Sequence, residues 1–156
     1  MNNSQEKKAN EKLILVDGSG YIFRAYYALP PMNNPDGIPI NAVYGFTNMM
    51  VKLIEDFNPR EICVLFDFGK ETFRNEIYAD YKANRTSPPE DLIPQFDLIK
   101  QASISIGLPT IEMEGFEADD LIATFVQKAK KTNKEVIIVS SDKDLMQLVA
   151  NDVLML

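Results

Sequence analysis

An α/β fold with a mostly parallel central sheet is predicted by two features of this 156-residue chain. Short runs that are apolar throughout alternate with longer segments whose apolar residues recur at helical spacing, the pattern of a parallel sheet covered on both faces. Turn-forming and acidic residues stand at the ends of those runs. There is no internal repeat and no low-complexity stretch, so one domain is expected over residues 13–156. Residues 1–12, polar and mixed in charge, form a lead-in with no apolar signal-peptide region.

The first strand is Lys12-Leu13-Ile14-Leu15-Val16, running into a turn at Asp17-Gly18-Ser19-Gly20. Ala28 to Pro39, rich in Pro, Asn and Gly, reads as an exposed loop. Val43, Phe46, Met50, Leu53, Ile54 and Phe57 then mark a helix that Asn58-Pro59 stops. Glu61 to Phe66 is the second strand, ended by Asp67-Phe68-Gly69. Pro88-Pro89-Glu90-Asp91 signals a helix start, with acids in the first turn. That helix is expected to run to Ile106 and stop at Gly107, and Pro94 is a candidate kink near its beginning.

Leu108 to Met113 is a third strand. Ala118, Leu121, Ile122, Phe125, Val126 and Ala129 make the stripe of another helix, with Lys128, Lys130 and Lys131 in its last turns. Glu135 to Val139 is a fourth strand. Ser140-Ser141-Asp142, a short helix to Ala150 and a fifth apolar run from Val153 to Leu156 complete the chain.

Composition prunes the chemistry. The absence of histidine excludes Ser-His-Asp and Cys-His sites and any imidazole metal ligand. Cys63 is the single cysteine, which excludes an internal disulfide or a cysteine zinc cluster; inside Ile62–Phe66 it reads as inert core. No apolar run approaches the roughly 20 residues needed to cross a bilayer, so no membrane partner is expected and the cytoplasm is the default location. The net charge of −7 argues against coating nucleic acid by bulk charge. A dense acidic site holding divalent cations can nevertheless attract phosphate.

The acids have a pattern of their own. In an open parallel sheet, ligands bind outside the carboxyl ends of the strands. Asp17 follows the first strand and Asp67 the second; Glu117, Asp119 and Asp120 open the helix after the third; Asp142 and Asp144 come just after the fourth. Each has a plain structural explanation, as a turn residue, a helix cap or a partner of a helix dipole. Together they would bring seven carboxylates to one edge, and their mutual repulsion calls for bound cations or raised pKa values. All-oxygen donors favour Mg²⁺ or Mn²⁺ over zinc. Two such ions about 4 Å apart can activate a water and stabilise the leaving oxygen of a phosphodiester.

Other motifs are weaker. Phe68-Gly69-Lys70-Glu71-Thr72 lacks the upstream glycine and following Ser/Thr of a P-loop, and Gly18-Ser19-Gly20 lacks the third glycine of a dinucleotide fingerprint. Phe73-Arg74 and Tyr81-Lys82-Ala83-Asn84-Arg85 interleave aromatics with cations, which suits phosphate contact and base stacking. The plainer alternative is a surface helix whose cations pair with Glu71, Glu76 and Asp80.

Four segments together resemble the 5′ nuclease domain of bacterial DNA polymerase I. They are Val16-Asp17-Gly18-Ser19-Gly20-Tyr21 with Arg24-Ala25-Tyr26; Phe66-Asp67 with Lys70–Arg74 and Tyr81–Arg85; Gly115-Phe116-Glu117-Ala118-Asp119-Asp120; and Ser141-Asp142-Lys143-Asp144. The resemblance runs in order from Leu13 to Leu156. It implies a PIN-like three-layer α/β sandwich that uses Mg²⁺ to cut 5′ ends and flaps from DNA in replication and repair.

By matching position, Asp17, Asp67, Glu117 and Asp119 would serve a first ion, with Asp120 in or beside that shell, and Asp142 and Asp144 a second. Lys82 and Arg85 would hold the scissile phosphate as catalytic cations. Arg24 and Arg74 would be further phosphate contacts, and Phe23 and Tyr81 would meet DNA as aromatics. In the family the chain continues into a further acidic motif and a helix-hairpin-helix element. The domain is therefore expected to be C-terminally incomplete, with a missing C-terminal segment or a separate polymerase as partner. A catalytically impaired remnant that binds metal and branched DNA without turnover is the alternative. A phosphoacceptor domain with an acidic Mg²⁺ pocket ranks below both, because the basic–aromatic segment has no purpose there.

Overall fold

The computed structural model describes residues 11–69 and 87–156. Five strands, β1 (Lys12–Asp17), β2 (Glu61–Leu65), β3 (Thr110–Ile111), β4 (Glu135–Val139) and β5 (Val153–Met155), form one sheet in the order β3-β2-β1-β4-β5. Every pairing is parallel. The chain builds outward from β1 to β3 on one side, then crosses back to place β4 and β5 on the other. The two flanks therefore part at the carboxyl ends of β1 and β4, a topological switch point where such sheets leave a crevice.

Strand alternation assigns residues to two cores. Ile14, Val16, Val64, Phe66, Ile137 and Val139 face α1 (Gly18–Ala28), α2 (Asn41–Phe57) and α3 (Ile93–Ser105), which contribute Ile22, Phe46, Met50 and Ile99. Leu15, Cys63, Leu65, Val136 and Ile138 face the opposite way, against Leu121, Ile122, Val126 and Ala129 of α4 (Ala118–Lys131). With apolar residues on both faces, β1 is buried from Ile14 to Val16, which explains its uninterrupted hydrophobic run. The result is a three-layer α/β sandwich. Burial pushes the Cys63 thiol up to about 11, as suits an inert core residue.

Several elements differ from expectation. The turn at Asp17–Gly20 is the opening of a full helix, α1. Its apolar residues Ile22 and Ala25 lie among aromatics and glycines, which blurs the helical period. Gly18 lies where an added Cβ would come within 2.5 Å of the Phe66 ring and 2.8 Å of a Val64 methyl, so the helix can leave β1 this abruptly only with glycine there. The helix expected from Pro88 begins instead at Ile93, after a turn through Pro89–Leu92. Pro94 consequently occupies the first turn, where its missing N–H has no helical partner to lose, and it produces no kink.

The third strand is only Thr110–Ile111, and the segment after β4 is a 3₁₀ helix (Lys143–Leu148). The α2 stop is as expected: Asn58 takes a left-handed conformation (φ 40°) and returns its N–H to Ile54. The basic–aromatic segment with Arg74, Tyr81, Lys82 and Arg85 lies outside the described residues.

One buried amide organises the helical layer on the α1 side. Gln95 is fully buried; its Oε1 accepts from the Ala42 and Val43 amides at the start of α2 (2.8 and 3.2 Å), and its Nε2 donates to Asn41 Oδ1 and Asp91 O (both 2.9 Å). Ile40 precedes α2 without a side-chain cap, so Gln95 supplies from another helix what a local Ser or Asp usually supplies.

Candidate metal centre

A cleft of about 210 Å³ opens at the switch point, lined among others by Asp17, Asp67, Glu117, Asp119 and Asp142. Five carboxylates from four segments thus share one concavity. Each position follows from how its element starts or ends. Asp17 is the last residue of β1 and the N-cap of α1: its Oδ1 accepts from the Gly20 amide (3.2 Å) and its Oδ2 from the Ser140 hydroxyl (2.7 Å). Ser140 follows β4, so this bond spans the switch point. Asp67 stands just past β2; its amide donates to Ser19 Oγ (2.9 Å), and its Oδ1 accepts from the Ala118 amide (2.7 Å).

Glu117 is the N-cap of α4 and is buried, held in a reciprocal capping box with Asp120, whose Oδ2 accepts from the Glu117 amide at 2.9 Å. Asp142 caps the 3₁₀ helix by accepting from the Asp144 amide (2.9 Å), and its own amide donates to Ser140 Oγ (3.0 Å). The capping and dipole roles are therefore real, and they are also what aims the carboxylates. Three helix starts converge on the cleft and each is closed by an acid that lines it.

Glu117, Asp119 and Asp120 offer carboxylate oxygens that all lie within 4.8 Å of one another, close enough for one cation to be shared. Asp120, a member of this group, also accepts from the Glu117 amide, and it is not among the residues that line the cleft. Asp144 is exposed and also lies off the cleft wall.

Burial raises the Asp17 carboxyl above 3.8, opposed by the bonds from Ser140 and Gly20 and reinforced by the nearby charges of Asp67 and Asp142. The donor set is all oxygen, the kind that suits Mg²⁺ or Mn²⁺.

Phe23 lines the cleft and is 40% exposed. Arg24, one residue on, is exposed and places its guanidinium 5.5 Å from the Tyr21 ring centroid, outside the cleft wall. Ser19, Ser140 and Ser141 were not among the expected site residues. Ser19 and Ser141 line the cleft and Ser140 bonds two of its acids. Their signal in the sequence is small hydroxyl residues placed directly after β1 and β4.

Residues 12–156 match the model of the 5′–3′ exonuclease N-terminal, resolvase-like domain. The chain belongs to this family. It is 54% identical over 154 residues to a DNA polymerase I of Rhizobium leguminosarum, covering 94% of the chain and 15% of that protein. It is 40% identical over 148 residues to a 5′–3′ exonuclease of Bacillus subtilis, covering 92% of the chain and 50% of that protein. The chain therefore spans a small part of the polymerases and half of the exonuclease.

Among solved structures it resembles a T5 protein co-crystallised with metal ions, with a TM-score of 0.73 and 26% identity over 93% of this chain and 54% of that one. It also resembles the bacteriophage T5 flap endonuclease in a pseudo-enzyme–product complex with DNA and metal ions. There the TM-score is 0.68 and the identity 28%, over 93% of this chain and 54% of that one. The family and the three-layer fold expected from the four motifs are both borne out. No described helix is long and apolar enough to cross a membrane.

Proposed function

We propose that this chain is the metal-binding part of a Mg²⁺- or Mn²⁺-dependent 5′–3′ nuclease that hydrolyses phosphodiesters at DNA 5′ ends and flaps. The observation that carries this reading is the convergence of Asp17, Asp67, Glu117, Asp119 and Asp142 on one cleft at the sheet's switch point. Such a density of negative charge suits a cation-dependent phosphate site and little else in a chain without histidine. A T5 relative in complex with DNA and metal ions supports the same reading.

Asp17, Asp67, Glu117 and Asp119 are the residues that would hold a first divalent ion, with Asp120 fixing Glu117 through its backbone. Asp142 and Asp144 are assigned to a second ion. The ions supply Lewis acidity: they lower the pKa of water and offset charge on the phosphodiester. The protein's own contribution is positional. Asp17 is held by two hydrogen bonds from different strand ends, and Asp67 is held by the first amide of α4, so the carboxylates are aimed before any ligand arrives.

Phe23 offers an aromatic face at the rim against which a base can stack. Arg24 stands near as a phosphate contact, and Arg74, Tyr81, Lys82 and Arg85 are proposed to bind the strand, with Lys82 and Arg85 holding the scissile phosphate. A separate polymerase or a further C-terminal segment is the proposed partner.

The test is cleavage of a 5′-flap DNA labelled at its 5′ end. Short labelled products in Mg²⁺ or Mn²⁺, none in EDTA, and a loss of at least 100-fold in Asp119→Asn are expected. A folded chain that binds the flap and releases no product in either metal overturns the activity.

A further inference from the structure

Asp67 stands past the end of β2, where the sheet ladder has run out. The amides of Val64 and Phe66 donate to the carbonyls of Pro109 and Ile111, so these two residues face the β3 side and Leu65 faces β1. Leu65 is in register with Asp17, the last residue of β1. By the same alternation the next amide turned toward β1 is that of Asp67. No strand carbonyl remains for it, because the chain has already entered α1 at Gly18. The Ser19 hydroxyl takes the place of that carbonyl and accepts the Asp67 amide at 2.9 Å.

A serine in the first turn of a helix ordinarily serves its own helix as a cap. Here Asp17 already caps α1, and Ser19 reaches across to another strand end. Its neighbour Gly20 donates its amide to Asp17 Oδ1 at 3.2 Å. Two consecutive residues of α1 thus hold two acids from two strands, Ser19 by the backbone of Asp67 and Gly20 by the carboxylate of Asp17. The Ala118 amide, 2.7 Å from Asp67 Oδ1, sets how that carboxylate is turned. The Ser19 bond sets where the backbone carrying it stands relative to β1.

Resting on the reading of the cleft as a metal-dependent nuclease site, we propose that Ser19 is a positioning residue that fixes the separation of Asp17 and Asp67, and through it the affinity for the divalent ion. The bond is exposed, so water replaces it as a partner of the Asp67 amide at little cost to the fold. Water does not replace it as a spacer, because a mobile molecule leaves the Asp67 backbone free to shift. Outer groups that hold the ligands of a cation act on its affinity in this way.

The experiment titrates Mn²⁺ by calorimetry into the parent chain, Ser19→Ala, Ser19→Val and Ser19→Thr, with urea unfolding in EDTA alongside. Ser19→Ala is expected to bind Mn²⁺ about tenfold more weakly at an unchanged urea midpoint. Ser19→Val, which has no hydroxyl, should be weakened likewise, and Ser19→Thr should recover the affinity. Equal affinity in the parent and Ser19→Ala overturns the proposal, as does Ser19→Val binding as well as Ser19→Thr. An affinity that falls only in step with the urea midpoint also overturns it, since the serine would then be merely structural. Cleavage of a 5′-flap DNA by the same proteins separates this from the nuclease reading. Affinity that follows the hydroxyl without any cleavage overturns the nuclease and supports the positioning role. Cleavage by a protein whose affinity ignores the hydroxyl does the reverse, and a parent that binds no Mn²⁺ overturns both.

Discussion

Ser140, the first residue after β4, donates its hydroxyl to Asp17 Oδ2 at 2.7 Å and accepts the Asp142 amide at 3.0 Å. One buried serine therefore ties the acid at the end of β1 to the acid that starts the 3₁₀ helix, across the point where the sheet's two flanks diverge. Ser140→Ala removes a hydrogen bond to a charged group and leaves the Asp142 amide without that acceptor. The expected loss of stability is about 1.5–3 kcal/mol, read as a lower urea midpoint at unchanged m-value. A midpoint equal to that of the unaltered protein would show that the link carries no weight.

Asp17 gives a pH signature. Its carboxyl is raised in the fold, chiefly by burial, so the folded state holds the proton more tightly than the unfolded chain. Between the ordinary value of 3.8 and the raised one, unfolding releases a proton. This group therefore disfavours the metal-free fold above its raised pKa, and that penalty is relieved as pH falls toward 3.8. Asp17→Asn is expected to remove this component. In EDTA, the difference in stability between variant and parent should shift in the variant's favour as pH rises through the window, by urea unfolding at several pH values. Parallel stability–pH curves would contradict the assignment.

Gly18 sets how sharply α1 departs from β1, because the Phe66 ring and a Val64 methyl occupy the space a Cβ would take. Gly18→Ala is expected to cost about 1–3 kcal/mol through overpacking. It should also weaken metal binding, since the displaced helix start carries the Gly20 amide that holds Asp17. Calorimetric Mn²⁺ titration beside urea unfolding separates the two effects. Unaltered stability would mean that Phe66 yields at no cost.

Much of this was readable in the residues. The three longer strands, β1, β2 and β4, announced themselves because a parallel strand covered on both faces cannot alternate, and Ile14–Val16 and Val136–Val139 are apolar throughout. The acids were legible because strand ends were. What escaped was set by tertiary packing. Gly18 and Gly20 look like a turn in isolation, and the close approach of Phe66 that lets a helix start here only with glycine at position 18 is a tertiary contact. Pro88 and Pro89 look like a helix start, yet α3 waits until Ile93, where Gln95 can reach the α2 amides 53 residues away in sequence. The role of Ser140 needs β1 and β4 as neighbours, a fact of strand order that neighbouring residues do not encode.

The central claim is that the carboxylates at the switch point hold the divalent ion on which phosphodiester cleavage depends. Anomalous scattering from a crystal soaked in Mn²⁺ tests it most directly. The account predicts a peak within coordination distance of Asp17, Asp67, Glu117 and Asp119, at about 2.0–2.3 Å from the nearest oxygens, and its loss in Asp67→Ala. A crystal of cleavage-competent protein with no peak in that cleft, or with its strongest peak elsewhere, would contradict it.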